Sequence, residues 1–221
     1  MAENILGFGL GKQVHFWGMS RLHRNILFRE SDNKGYCKRP QSRASQIAQA
    51  GIIAAVYASA TLLCGVLFQG LAWGPVQLRV SEICMVLALF TPSAVGGLTL
   101  GCAIANLVIA LTSGFGALGL LDVVFVSLAT FLGAFFCYKF RKNVKLALVG
   151  PVAANALIVP LYLPIMLQGV GFYTIPFTGI SLDDAYIAMY LFGMIALAIS
   201  QTIVVYAIGL PFSHLLKRVF K

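Results

Sequence analysis

Arg79 and Glu82 stand three residues apart in the stretch VQLRVSEIC, residues 76–84, of a chain whose longest segments carry no charge at all. On a helix that spacing puts the two side chains about 60° apart on one face, close enough to pair. Asp122 offers Arg79 a second partner. If Arg79 takes it, Glu82 is left seeking a donor that a ligand could supply. Three amides are isolated in the same way: Asn106, Asn155 and Gln201. A lone amide in lipid serves as glue between helices. Two carboxyl groups, a guanidinium and three amides together suit the lining of a polar cavity instead. A flat heterocycle with a row of N–H and C=O groups fits such a lining, because any of these groups left unpaired in a dry pocket is costly. A purine-like base answers to that description. Trp73 could cover its ring by stacking, or could simply belong to the aromatic belt at a membrane surface.

The elements that must position these residues are membrane helices. Of 221 residues, 59% are hydrophobic and 10% charged, a composition that a water-exposed domain could not carry. Charge-free runs cover 44–78, 83–121, 123–138, 146–182 and 185–216, whereas one spanning helix needs about 20 apolar residues. Glycine, proline and polar clusters cut these runs into six spans, near 46–68, 76–91, 94–111, 119–138, 146–167 and 186–210. The second is short for a full crossing and breaks from the third at Pro92, which has no backbone N–H to donate. Pro160 and Pro164 should kink the fifth. A charge at mid-bilayer costs roughly 2.5–3.5 kcal/mol on insertion scales, so Arg79, Glu82 and Asp122, all toward one side, need an offsetting partner. The five cysteines show no metal-ligand spacing and read as small packing residues, so neither a metal nor a cofactor is expected.

Orientation follows from lysine and arginine. The first 43 residues hold eight of them, the connection after the fourth span holds Lys139, Arg141, Lys142 and Lys145, and the carboxyl end holds Lys217, Arg218 and Lys221. Fifteen of the sixteen basic residues thus fall on one side, with Arg79 the exception, which places both termini in the cytoplasm by the positive-inside rule. Residues 1–45 read as a basic cytoplasmic tail, mostly disordered, beside anionic headgroups, or as a start codon chosen too far upstream. No secretory signal pattern is present there. Residues 46–221 form the membrane domain. Asp183 and Asp184, in the last outer connection, are expected to be solvated or to cap the sixth helix.

Two strips of small residues bear on partners. Ala50, Ala54 and Ala58 recur every four positions along the first span, and such strips let another helix approach closely. Gly97 and Gly101 form a similar notch in the third span and are expected to serve internal packing. The alanine strip is expected to meet an external partner.

The ordered motifs VQLRVSEICMVLALFTPSAVGGLTLGCAIANLV, LLDVVFVSLATFLGA and VAANALIV resemble the queuosine precursor transporter (QueT) family, substrate-binding S components of energy-coupling factor (ECF) importers, over residues 46–212. The resemblance implies an all-α integral membrane fold, a six-transmembrane-helix bundle of ECF S-component type, in the plasma membrane of a prokaryote. It implies that the chain captures a 7-deazaguanine base, queuine or a precursor, from outside. It also implies docking onto a transmembrane coupling protein with two ATPase subunits, through Ala50, Ala54 and Ala58; nucleic acid is not among the implied partners. Arg79, Glu82, Asn106, Asp122 and Asn155 match the family pattern. Gln201 departs from it, standing in SQTIVVY where the pattern carries a glutamate, and the lost carboxylate weakens recognition of a cation or of guanine-type N–H donors.

Three functions compete. A binding subunit without its own motor is favoured because the chain contains no GxxxxGK[ST] phosphate loop; its ligand could also be another vitamin-like molecule. A self-contained proton-coupled carrier would be supported by internal symmetry, and the two halves show no repeat. An intramembrane enzyme lacks a base, since His15, His23 and His214 lie outside mid-span positions.

Overall fold

Ser42 starts the first helix: its hydroxyl accepts the Ser45 backbone N–H at 3.2 Å, satisfying one of the unpaired amides of a helix start. The computed structural model describes residues 42–67, 79–112, 118–169 and 186–219. All regular structure among them is helical. We label the elements α1 (Arg43–Leu67), α2 (Val80–Leu89), α3 (Ser93–Thr112), α4 (Gly119–Lys139), α5 (Val144–Met166) and α6 (Tyr186–Leu216). Five of these are long and apolar enough to cross a membrane; α2 is not. The first five segments follow the expected boundaries within a few residues, whereas α6 runs past the expected end near 210 to Leu216.

The exterior is greasy and the interior carries the polar groups. Leu111, Phe135, Ile187, Ile195 and Ile199 are exposed, while Arg79, Glu82, Asn106, Asp122, Asn155 and Gln201 are buried. Water would penalise that surface, and a bilayer accepts it without cost.

α2 is a 3-10 helix of ten residues. At a rise of about 2.0 Å per residue it covers roughly 20 Å, short of the roughly 30 Å hydrocarbon core. It ends where the Phe90 and Thr91 amides both turn back to the Leu87 carbonyl, at 3.1 and 3.2 Å. Pro92 follows, at the position where a missing N–H costs a new helix little.

α1 and α3 touch backbone to backbone. A Cβ added to Gly97 would lie 2.7 Å from the Ala50 carbonyl oxygen, and one added to Gly101 would lie 2.5 Å from that of Ala54. Only glycine permits this approach. The notch of Gly97 and Gly101 therefore packs internally, as expected. The alanine strip does not face outward: Ala54 is 4% and Ala58 8% exposed, because α3 already occupies the face along which Ala50 and Ala54 lie. The exposed face of α1 instead carries Ala48, Gly51, Ala55 and Ser59, also small and spaced by three or four.

α4 and α6 each contain a π-helical stretch, Asp122–Val126 and Ile203–Gly209. Wide turns of this kind are rare and cluster at functional positions. α5 continues as helix through Pro160 and Pro164. Beside those prolines α6 is tied to it by tyrosine hydroxyls, Tyr190 donating to the Leu157 carbonyl at 3.4 Å and Tyr186 to that of Leu161. At the other end Tyr206 donates to the Lys145 carbonyl at 2.7 Å, and Asn143 caps the first turn of α5 through the Leu146 amide. Residues 1–41, Trp73, Asp183 and Asp184 lie outside the described residues.

Candidate ligand-binding site

The expected helical pair of Arg79 and Glu82 does not form. Arg79 precedes α2 in extended conformation, φ −93° and ψ 90°, so helical spacing does not govern where its side chain goes. The guanidinium stays within electrostatic reach of the Glu82 carboxyl, but the hydrogen bond between the two residues is a backbone one, the Glu82 amide donating to the Arg79 carbonyl at 3.1 Å. Glu82 Oε1 accepts the Tyr57 hydroxyl of α1 at 3.0 Å. Its other oxygen, Oε2, and Arg79 Nη1 are buried with no hydrogen-bond partner among the described residues. Asp122 takes the corresponding bond from α5, where Tyr162 donates to its Oδ1. The Tyr162 ring is held by stacking on Phe125, with centroids 5.2 Å apart.

Each carboxyl group thus has a tyrosine hydroxyl on one oxygen, and the Arg79 guanidinium lies within electrostatic reach of both phenols, of Asp122 and of the Cys102 thiol. Cys102 on α3 joins the same set: its sulfur accepts the Asn106 amide at 3.2 Å and the Thr130 hydroxyl of α4 at 3.3 Å. Asn155 of α5 lies beside the Glu82 carboxyl, yet its Nδ2 falls short of hydrogen-bond geometry and remains unpaired. Five elements, α1 to α5, therefore bring Arg79, Glu82, Asn106, Asp122 and Asn155 into one polar cluster. Gln201 is buried in α6 next to the π-helical stretch, with Oε1 unpaired, and no hydrogen bond joins it to the cluster among the described residues. Ala50, Ala54 and Ala58 belong to the α1–α3 contact.

The unpaired atoms define what the cluster can hold. Glu82 Oε2 and Asn106 Oδ1 accept, Arg79 Nη1 and Asn155 Nδ2 donate, and the hydroxyls of Ser81 and Ser127 do either, while Gln201 Oε1 is a further unpaired acceptor on α6 outside the cluster. Each such group left bare in a protein interior costs about 1–3 kcal/mol. So many on facing helices call for a polar guest with donors and acceptors of its own. The two tyrosines were not singled out in the sequence. Their signal was there: Tyr57 is the one bulky side chain in AAVYASA, and Tyr162 sits between two prolines in VPLYLPI. A phenol placed inside an apolar span must find a partner for its hydroxyl.

No curated protein and no solved structure matches the chain in comparisons with either. The family model of the QueT transporter matches residues 47–218, a range that reaches all six helices and includes every residue of the cluster. The chain is therefore a membrane transport protein, and it belongs to the QueT transporter family.

Proposed function

We propose that the chain is the substrate-binding subunit of an ECF-type importer in a prokaryotic plasma membrane, capturing a 7-deazaguanine base from the outside. The observation that carries the reading is the set of buried, unpaired donors and acceptors around Glu82, Asn106 and Asn155. They match the mixed edge of a flat heterocycle and would be a needless cost in a protein without a guest. In this reading both termini are cytoplasmic, the side that the distribution of fifteen of the sixteen basic residues favours. Transport energy comes from a transmembrane coupling protein and two ATPase subunits. The coupling protein lies against the outward face of α1, on Ala48, Gly51, Ala55 and Ser59. There a Cβ on Gly51 would meet nothing within 4 Å.

Uptake of labelled 7-deazaguanine tests the reading. Cells with the chain and a coupling module should accumulate the base, and cells with the chain alone should not. Accumulation by the chain alone would identify a self-contained carrier. Failure of the purified protein to bind any deazaguanine in calorimetric titration would remove the ligand assignment.

A further inference from the structure

The turn between α4 and α5 concentrates charge that nothing nearby in the sequence balances. Lys139, Arg141, Lys142 and Lys145 fall within seven residues, and no acidic residue lies between Asp122 and Asp183. All four are exposed. The turn beneath them is braced: the Phe140 amide donates to the Phe136 carbonyl and the Asn143 amide to the Phe140 carbonyl, both at 3.0 Å, and the Tyr206 hydroxyl of α6 holds the Lys145 carbonyl. Behind it α4 and α5 close to backbone contact, where a Cβ on Gly133 would lie 2.8 Å from Pro151 Cα. The Arg141 guanidinium lies over the Tyr138 ring, 4.5 Å from its centroid. Such stacking engages the face of the guanidinium and leaves the N–H donors around its edge for an acceptor.

The surface that adjoins these cations is apolar. Leu128, Phe131 and Phe135 are exposed and recur at helical spacing, so they share a face of α4 with Lys139. The two phenylalanine rings stack, with centroids 6.2 Å apart. On α5, Leu146 and Val149 are exposed within one turn of Lys145. A partner that is only anionic matches the turn and gains nothing from the apolar stripe, and plain hydrocarbon matches the stripe and leaves the turn without a counter-charge. We propose that the α4–α5 turn seats an anionic phospholipid, with its phosphate on Arg141 and the flanking lysines and an acyl chain along Phe135 and Phe131. A guanidinium meets phosphate oxygens two at a time, and basic residues at the ends of membrane helices draw anionic headgroups. The site depends on the membrane location of the chain and on no particular transported substrate.

The full chain in dodecyl maltoside, titrated with dioleoyl phosphatidylglycerol or dioleoyl phosphatidylcholine and with bound lipid counted by native mass spectrometry, tests the site. A cation near an anionic headgroup contributes about fivefold in affinity, so wild type should prefer phosphatidylglycerol by about 25-fold or more. Arg141→Gln combined with Lys142→Gln should remove about 25-fold of that preference while phosphatidylcholine binding stays as it was; both side chains are exposed, so the melt of the variant should match wild type. Tyr138→Leu keeps every charge and should lower the preference by a few-fold, through loss of the ring that holds the guanidinium. Phe135→Ala should weaken both lipids by the same factor and keep their ratio. A wild-type ratio near one, or a ratio that survives in the double variant, would overturn the inference. Inorganic phosphate at the concentration of the lipid should displace none of it; displacement would mean an anion site that takes no lipid, and would overturn the assignment too.

Discussion

Replacing Glu82 by glutamine changes the chemistry of one atom and almost no volume. The amide oxygen still accepts the Tyr57 hydroxyl where Oε1 does now, at 3.0 Å, so α1 and α2 stay joined. The amide nitrogen then replaces Oε2, which at present has no partner among the described residues. With Asn155 Nδ2, another donor, close to this side chain and the N–H groups of the proposed base before it, an attraction becomes a clash of like dipoles. A hydrogen bond to a charged group contributes about 1.5–3 kcal/mol. At about 1.4 kcal/mol per decade this weakens binding roughly 10- to 100-fold. The unfolding temperature of the ligand-free protein should change little, because packing is conserved. Titration calorimetry with 7-deazaguanine, beside a thermal melt in the same detergent, gives both quantities. An unchanged dissociation constant in a fully folded variant would refute the reasoning and make Glu82 a structural anchor for Tyr57.

Gly101→Ala should lower thermal stability by about 1–3 kcal/mol, since the new Cβ would lie 2.5 Å from the Ala54 carbonyl oxygen; an unshifted melt would show that α1 and α3 separate freely. Ala54→Leu should destabilise the fold through the same contact, whereas Gly51→Leu, on the open face of α1, should melt and bind ligand normally yet lose coupled uptake. Full uptake by Gly51→Leu would remove that face as the docking surface. Tyr162→Phe leaves Asp122 Oδ1 without its donor and should cost about 1–3 kcal/mol of stability, read as a lower denaturation midpoint; no change would mean that Asp122 finds another partner.

Helix positions were legible because the forces that set them are local. Pro92, the glycines and the charged residues mark where a chain cannot stay in hydrocarbon, and the observed ends of α1 and α3 to α6 fall close to those marks. The polar cluster was legible for a related reason: Arg79, Glu82, Asn106, Asp122 and Asn155 are conspicuous where almost nothing else is polar, and burial brings them together. Pairing was not legible. The spacing of Arg79 and Glu82 suggested a helical contact, but the helix starts after Arg79 and winds as 3-10, and Tyr57, 25 positions upstream, takes the carboxyl instead. The alanine strip misled for a geometric reason. α1 carries small residues in two registers, and only the location of Gly97 and Gly101 decides which register is covered.

The winding of α2 ties the site to the frame around it. A 3-10 helix turns about 120° per residue and an α-helix about 100°, so over ten residues the two differ by about 200°, more than half a revolution. Glu82 is pinned near one end by Tyr57 and the Leu87 carbonyl holds the other end under Pro92. Tightening or relaxing the coil would therefore swing the carboxyl relative to Met85 and Val86 on the buried face. The angle at which Glu82 presents itself is thus a gauge of the pitch of this short segment, and whatever grips the carboxyl also sets the pitch.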